Sequence, residues 1–234
     1  MRNYCHMHLW DTAVGILNKR KQTTRNDKHW FKRKKTMSQA RVLTDKELNL
    51  LLLFIKTRKH SERNRAMLLM THYAGMRVGE VAAVKVGDVI AVDGSIKPDM
   101  RLTAEQTKGR HARTVVLSDG MRKELLHYLQ VRFETKQLIA ITTTAEMKKP
   151  LFNTQKATGF TANTLCYTFH MLYKAAGLIG ATSHSGRRGF LTKLSKHGVA
   201  LRTMMELAGH RQAQTTMRYI DVTDDMKRAA VELL

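Results

Sequence analysis

Cysteine is nearly absent: the 234 residues hold only Cys5 and Cys166, too far apart and too unlike in surroundings to form a disulfide framework. That removes the small stapled extracellular domains from consideration and points to a reducing cytoplasm. Long apolar runs are also missing. The best, Leu48–Ile55, falls well short of the roughly 20 residues a membrane helix needs. The first residues carry Trp10 among mixed polar side chains rather than the apolar centre of a signal peptide, so the protein is expected to stay inside the cell. No amphipathic stretch sets bulky aromatics opposite a basic face, which argues against an acidic membrane surface as partner.

Acidic side chains are the second scarcity. Nineteen Asp and Glu face 41 Lys and Arg, a formal net charge of +22. Such an excess calls for a polyanion, and with membranes disfavoured that polyanion is nucleic acid. Residues 1–36 hold ten of the cations against Asp11 and Asp27, yet fourteen of the net charges remain in residues 37–234. A sticky tail alone therefore does not account for the charge. With 43% hydrophobic residues the chain is an ordinary globular protein, long enough for one good core plus a tail. Residues 1–40, basic and weakly periodic, are read as a flexible arm, and residues 41–234 as the folded domain.

From Thr44 the local signals sharpen. Thr44-Asp-Lys-Glu47 has the form of a capping box ahead of an apolar run to Ile55. Ser61 is a candidate cap for a second helix through His72, and Gly75 suits a left-handed exit from it. A short third helix is expected over about 79–84, which places Arg77 in the turn between two helices. Residues 87–117 change period: the valine-rich run from Val86, a turn at Asp93-Gly94-Ser95, Leu102-Thr-Ala-Glu and Arg113-Thr-Val-Val-Leu117 read as short antiparallel strands. Thr107-Lys108-Gly109-Arg110 forms a hairpin tip between the last two. Ser118-Asp119 opens a helix through about Arg132, a polar stretch runs to Pro150, and further helices are expected at about 161–176, 185–197, 201–208 and 224–233. The fold class is mainly α with a small three-stranded antiparallel β-sheet.

Ala74-Gly75-Met76-Arg77-Val78-Gly79-Glu80, Lys108 on its hairpin, His184-Ser185-Gly186-Arg187, Leu207-Ala208-Gly209-His210 and Gln214-Thr215-Thr216-Met217-Arg218-Tyr219 stand in this order along the chain, with a tyrosine nine residues after the glycine-histidine pair. Each fragment alone is ordinary. Together they resemble the motif set of the tyrosine site-specific recombinase (phage integrase) family over residues 42–234.

The resemblance implies a tyrosine recombinase catalytic domain-like fold that breaks and rejoins DNA through a 3′-phosphotyrosine. Tyr219 is then the nucleophile. Arg77 and Arg187 clamp the scissile phosphate, His210 adds a third donor, His184 accepts the tyrosine proton, Lys108 protonates the departing 5′-oxygen, and Glu80 orients the arginine or histidine cluster from behind. The residue types suit the chemistry: guanidinium forks donate paired hydrogen bonds to phosphate oxygens and keep their charge, where the transition state gathers negative charge. A phenolate is a tolerable leaving group when the reaction reverses. Arg110, Arg113, Arg188, Arg211 and Arg218 are further candidate DNA contacts. No metal or other cofactor is called for.

Gly-Arg-Arg at 186–188 departs from the family's usual Leu-Arg-His, which makes Arg188 a rival to Arg187 for the phosphate. The roughly 40 residues upstream are too few for the family's separate core-binding domain. The chain therefore resembles the minimal, catalytic-domain-only recombinases. The resemblance implies as partners double-stranded DNA with inverted half-sites, further copies of the chain (a dimer on a site, a tetramer in synapsis) and DNA-bending accessory proteins, in a nucleoid-associated, prokaryotic or mobile-element setting. The closing helix, 224–234, docks either on its own domain or on a neighbouring protomer. A regulator that has lost catalysis and a relaxing topoisomerase are the competing functions.

Overall fold

The computed structural model describes residues 40–155, 157–220, 222 and 224–232. Apart from Ala40, the expected basic arm lies outside the described residues. Helix α1 (Asp45–Lys56) starts where the sequence places it. The Thr44 hydroxyl accepts from the Glu47 N–H at 3.2 Å, and the Glu47 carboxylate accepts from the Thr44 N–H at 3.0 Å. Leu48, Leu51, Leu52 and Ile55, at helical spacing, form its buried face.

Helix α2 (Ser61–Tyr73) runs through the centre of the domain, and every residue from Ala66 to His72 is buried. Each of its large apolar side chains is worth about 1.5–3 kcal/mol on burial. Ser61 is not its cap, as the sequence suggested. The flanking position belongs to His60 at φ 60°, and the Ser61 hydroxyl turns to Glu62 at 3.2 Å. The exit is as expected: Gly75 has φ 59°, and a Cβ there would lie 2.4 Å from the Phe190 ring.

Helices α3 (Val78–Ala83) and α4 (Val86–Val89) follow. The second replaces the first expected strand. Val86, Val89 and Ile90 are buried at i, i+3 and i+4, a helical spacing, and Asp88 accepts from the Lys85 N–H at 2.8 Å to start the turn. The backbone around it pairs with residues 149–151 instead of a sheet, through Val86 N–H to Lys149 O and Leu151 N–H to Val84 O. The named sheet accordingly has two strands, β1 (Asp99–Leu102) and β2 (Arg113–Val116), antiparallel with Leu102 opposite Arg113, and Ile90–Ile96 remains an isolated bridge.

Helix α5 (Asp119–Phe133) is capped by Ser118 and tied to α2 by Arg65, whose Nε donates to Glu124 at 2.7 Å. The polar stretch to Pro150 holds a 3₁₀ turn (Leu138–Ile141) and the short α6 (Thr144–Met147). Helices α7 (Ala162–Ala175), α8 (Ser185–Lys196), α9 (Leu201–Ala208), α10 (Ala213–Met217) and α11 (Asp224–Val231) complete the order. Among the described residues no helix is long and apolar enough to cross a membrane.

Helix α8 lies against α2, and Gly186 makes the approach possible. A Cβ at Gly186 would sit 2.1 Å from Thr71 Oγ1 and 2.8 Å from His72 Cδ2. The family's leucine at this position would not fit, so the departure noted in the sequence is a packing requirement. Gly186→Ala is expected to destabilise the fold by about 1–3 kcal/mol through overpacking, which outweighs at most ~1 kcal/mol of improved helix propensity. A urea midpoint equal to or above wild type would contradict this. Thr71→Ala in the same chain should recover part of the loss.

Main-core residues come from α1, α2, α5, α7 and both strands. A second, smaller apolar cluster joins Leu191 of α8 to Met204 and Ala208 of α9, with Phe190, Leu194, Val199, Tyr219 and Ile220 packed on it. This smaller cluster anchors the segment that carries Tyr219.

Candidate active site

Glu80, on the first turn of α3, is 1% exposed, and two guanidiniums converge on it. Arg77 Nη1 donates to Oε1 at 2.9 Å while the Arg77 N–H donates to Oε2 at 2.9 Å. From β2, Arg113 Nη2 donates to Oε2 at 2.6 Å and Nε to Oε1 at 3.3 Å. Burial on its own would raise the Glu80 carboxyl pKa, but the hydrogen bond and charge of Arg113, then the Arg77 N–H, outweigh it and hold the carboxyl below its usual range. Arg113 continues to α9, where its Nη1 donates to Leu207 O at 2.9 Å. One carboxylate thus ties α3, β2 and α9 together.

Arg187 occupies the first turn of α8 and is 3% exposed. Its Nη1 donates to Gly75 O at 2.6 Å, and its Nη2 donates to Ala208 O at 2.5 Å and meets His210 Nε2 at 2.8 Å. Burial, then the neighbouring Arg77, lowers its pKa to about 9, so the group stays cationic at neutral pH. A guanidinium only donates, so His210 Nε2 must accept, and its ring proton sits on Nδ1, 2.9 Å from Thr216 Oγ1. Burial followed by the charges of Arg187, Arg77 and Arg113 brings His210 down to about 4, consistent with a neutral ring.

Tyr219 follows α10 and stacks on that ring, with centroids 5.9 Å apart and planes at 14°. Its backbone fixes it: the N–H donates to Thr216 O at 2.9 Å, and the carbonyl accepts from Thr192 Oγ1 at 3.3 Å. A negative charge on its oxygen would stabilise the nearby Arg187 cation.

His184 precedes α8 with an exposed ring; partial burial, then Arg187, Lys108 and Arg77, lower its pKa. Lys108 is exposed in the loop joining β1 to β2 and lines a cavity of about 390 Å³ with Ala104, Glu105, Thr107 and Arg110. Among the other arginines, Arg110, Arg211 and Arg218 are exposed. Arg188 points elsewhere: its Nη1 donates to Ala40 O at 3.1 Å, so Arg187 rather than Arg188 joins the cluster. Two residues gain weight beyond the sequence reading. Arg113, expected on the DNA, supports Glu80, and Thr216, buried and unmarked in the sequence, holds His210. The strand alternation that sets Arg113 on the same side as buried Val115 was the available signal for the former.

A half-buried phenol beside three arginines and one carboxylate is equipped for nucleophilic attack on an anionic ester. The Phage integrase family profile matches residues 41–226, and the chain belongs to that family. Tyrosine recombinase XerA of Thermococcus kodakarensis is 29% identical over 196 residues, 83% of this chain and 63% of that protein. Tyrosine recombinase XerD of Oceanobacillus iheyensis is 28% identical over 207 residues, 87% and 66% respectively. The chain therefore spans a little under two thirds of these relatives' length. The crystal structure of XerA recombinase superposes with a TM-score of 0.64 at 23% identity, over 84% of this chain and 66% of that one. The post-cleavage complex of XerH site-specific recombinase with its palindromic difH substrate gives 0.60 at 22%, over 81% and 51%. These likenesses establish the fold as that of the tyrosine recombinases.

Proposed function

We propose that this chain is a site-specific DNA recombinase that cuts and rejoins DNA through a covalent bond between Tyr219 and a 3′-phosphate. The observation that carries the reading is the linkage of Arg77, Arg187, His210 and Tyr219 from three separated stretches of chain: buried Glu80 holds Arg77, Arg187 bonds His210, and Tyr219 stacks on His210. The Tyr219 oxygen attacks phosphorus and the bond to the 5′-oxygen breaks. Arg77 and Arg187 stabilise the charge gathering on the non-bridging oxygens, with His210 as third donor. His184 takes the phenol proton and Lys108 protonates the departing 5′-oxygen. Attack by a 5′-hydroxyl reverses the steps and reseals the strand, so no external energy source is needed.

The same reading has the domain of residues 41–234 gripping paired, inverted half-sites as a dimer, two such sites joining in a tetramer, with Arg110, Arg211, Arg218 and the basic arm of residues 1–40 on the DNA backbone and DNA-bending proteins assisting. An intracellular, nucleoid-associated setting goes with it. Duplexes chosen from a random-sequence pool by binding, then nicked near the candidate cleavage position, should yield a protein–DNA adduct stable on a denaturing gel. Release of phosphotyrosine on hydrolysis would identify the bond. Binding should also weaken by ~10³–10⁵-fold between 50 and 200 mM salt if six to ten phosphates are contacted. Tight, salt-insensitive binding, or binding to selected sites without any adduct, would overturn the assignment.

A further inference from the structure

His210 faces two partners of opposite demand. In the free protein its Nε2 accepts from Arg187, and among the residues that face it Glu80 is the lone carboxylate against Arg187, Arg77 and Arg113. A phosphate oxygen at the same place only accepts, so the ring must there present an N–H from Nε2. A neutral imidazole satisfies both only by moving its proton, and that requires a partner on Nδ1 able to reverse its role. Asn, Asp and backbone groups have fixed roles at a given atom, whereas a hydroxyl both donates and accepts. Thr216 Oγ1 stands at Nδ1, 2.9 Å away, on a residue with no exposed surface in the free protein.

Building on the proposed function, we propose that Thr216 is a positioning residue that serves both tautomers of His210: its hydroxyl accepts from Nδ1–H in the free protein, where Arg187 requires Nε2 to accept, and donates to Nδ1 when Nε2–H donates to a DNA phosphate oxygen. The ring carries one proton before and after. The proton lost at Nδ1 and the one gained at Nε2 exchange with water as the DNA seats. Thr216 also accepts from the Tyr219 N–H through its carbonyl, so one residue links the ring that meets the phosphate to the chain that carries the nucleophile.

The test uses the full chain with ¹⁵N-labelled histidine, as wild type, Thr216→Ser and Thr216→Val. Without DNA all three proteins should show His210 protonated at Nδ1, as Arg187 requires, but with the Nδ1 signal of Thr216→Val shifted from its position in wild type and Thr216→Ser because valine gives that N–H no acceptor. Added to the Tyr219→Phe protein, a duplex chosen by binding should move the proton to Nε2 with the ring still neutral. In cleavage, Thr216→Val should lose about tenfold in kcat, the worth of one hydrogen bond, with duplex binding within twofold of wild type and Thr216→Ser restoring the rate. An Nε2–H tautomer in the free wild type, a doubly protonated ring on DNA, or a Thr216→Val protein with wild-type spectrum and rate would each overturn the proposal. Should Thr216→Val not fold, the wild-type and Thr216→Ser spectra still decide it. Absence of cleavage by wild type would sink the recombinase reading, while the DNA-free spectra judge Thr216 independently.

Discussion

Tyr219→Phe should bind a selected duplex within about twofold of wild type and form no covalent adduct, a loss of at least ~10⁴-fold in cleavage. The two halves of this expectation rest on different parts of the residue. The ring contributes packing: it stacks on His210 and covers the cluster built from Leu191, Met204 and Ala208. Phenylalanine keeps that surface, and the backbone bonds to Thr216 and Thr192 do not involve the substituted atom. The oxygen contributes the reaction, since no neighbouring side chain in the cluster offers a second nucleophile: Arg77, Arg113, Arg187 and His210 are nitrogen donors, Glu80 is locked between two guanidiniums, and the Thr216 hydroxyl is turned to His210. Fluorescence anisotropy at fixed salt would report binding, and a denaturing gel the adduct. An adduct persisting in Tyr219→Phe would place the nucleophile elsewhere and dissolve the roles assigned to the cluster.

Much of this site was readable because local rules and family spacing agree at those residues. Thr44 and Glu47 cap as their spacing demands, Gly75 takes the left-handed exit, the helix carrying Arg187 and the one that Gly209 ends begin and end within about a residue of expectation, and the closing helix begins at Asp224 as expected. What escaped was decided by tertiary contacts. The valine run at 86–90 has both strand-like composition and helical spacing, and pairing with residues 149–151 settled it as a turn of helix. Ser61 looked like a cap, yet the chain enters α2 through a left-handed His60 held near Gln155, a partner 95 residues away. Arg113 is a candidate DNA contact in the sequence; the partner it has in the fold, Glu80, lies 33 residues earlier, beyond any local pattern. Thr216 is one of two adjacent threonines, and only the folded position of His210 distinguishes it from Thr215. The resemblance pointed to Glu80 as well as to the groups it assigns to the reaction, while the contacts of Arg113 with Glu80 and of Thr216 with His210 had to come from the structure.

The largest stability change is expected at Glu80. An exposed ion pair is worth ~1 kcal/mol or less, but Glu80 and Arg113 have side chains only 1% and 9% exposed, so removing the carboxylate strands a buried cation. Glu80→Gln should therefore lower unfolding free energy by about 3–5 kcal/mol, a large share of the 5–15 kcal/mol typical of a folded domain. Arg113→Met in the same chain should restore part of the loss, since it removes the stranded charge along with its partner. Acid supplies an independent check on the sign. Because the folded Glu80 carboxyl is held below its usual 4.5, its contribution is complete above that value and disappears as pH falls through the lowered one. His72 and His210, both depressed to about 4, act over a different window. The unfolded chain binds their protons below about 6.5 and the folded protein does not, so stability declines between 6.5 and 4 in wild type and variant alike. Urea midpoints across pH should accordingly show a constant gap between wild type and Glu80→Gln above pH 4.5, narrowing only below it. A gap under about 1 kcal/mol at neutral pH would mean that the two guanidiniums are held by the backbone carbonyls and water instead, and that the carboxylate is not what fixes Arg77 and Arg113 beside the phosphate site.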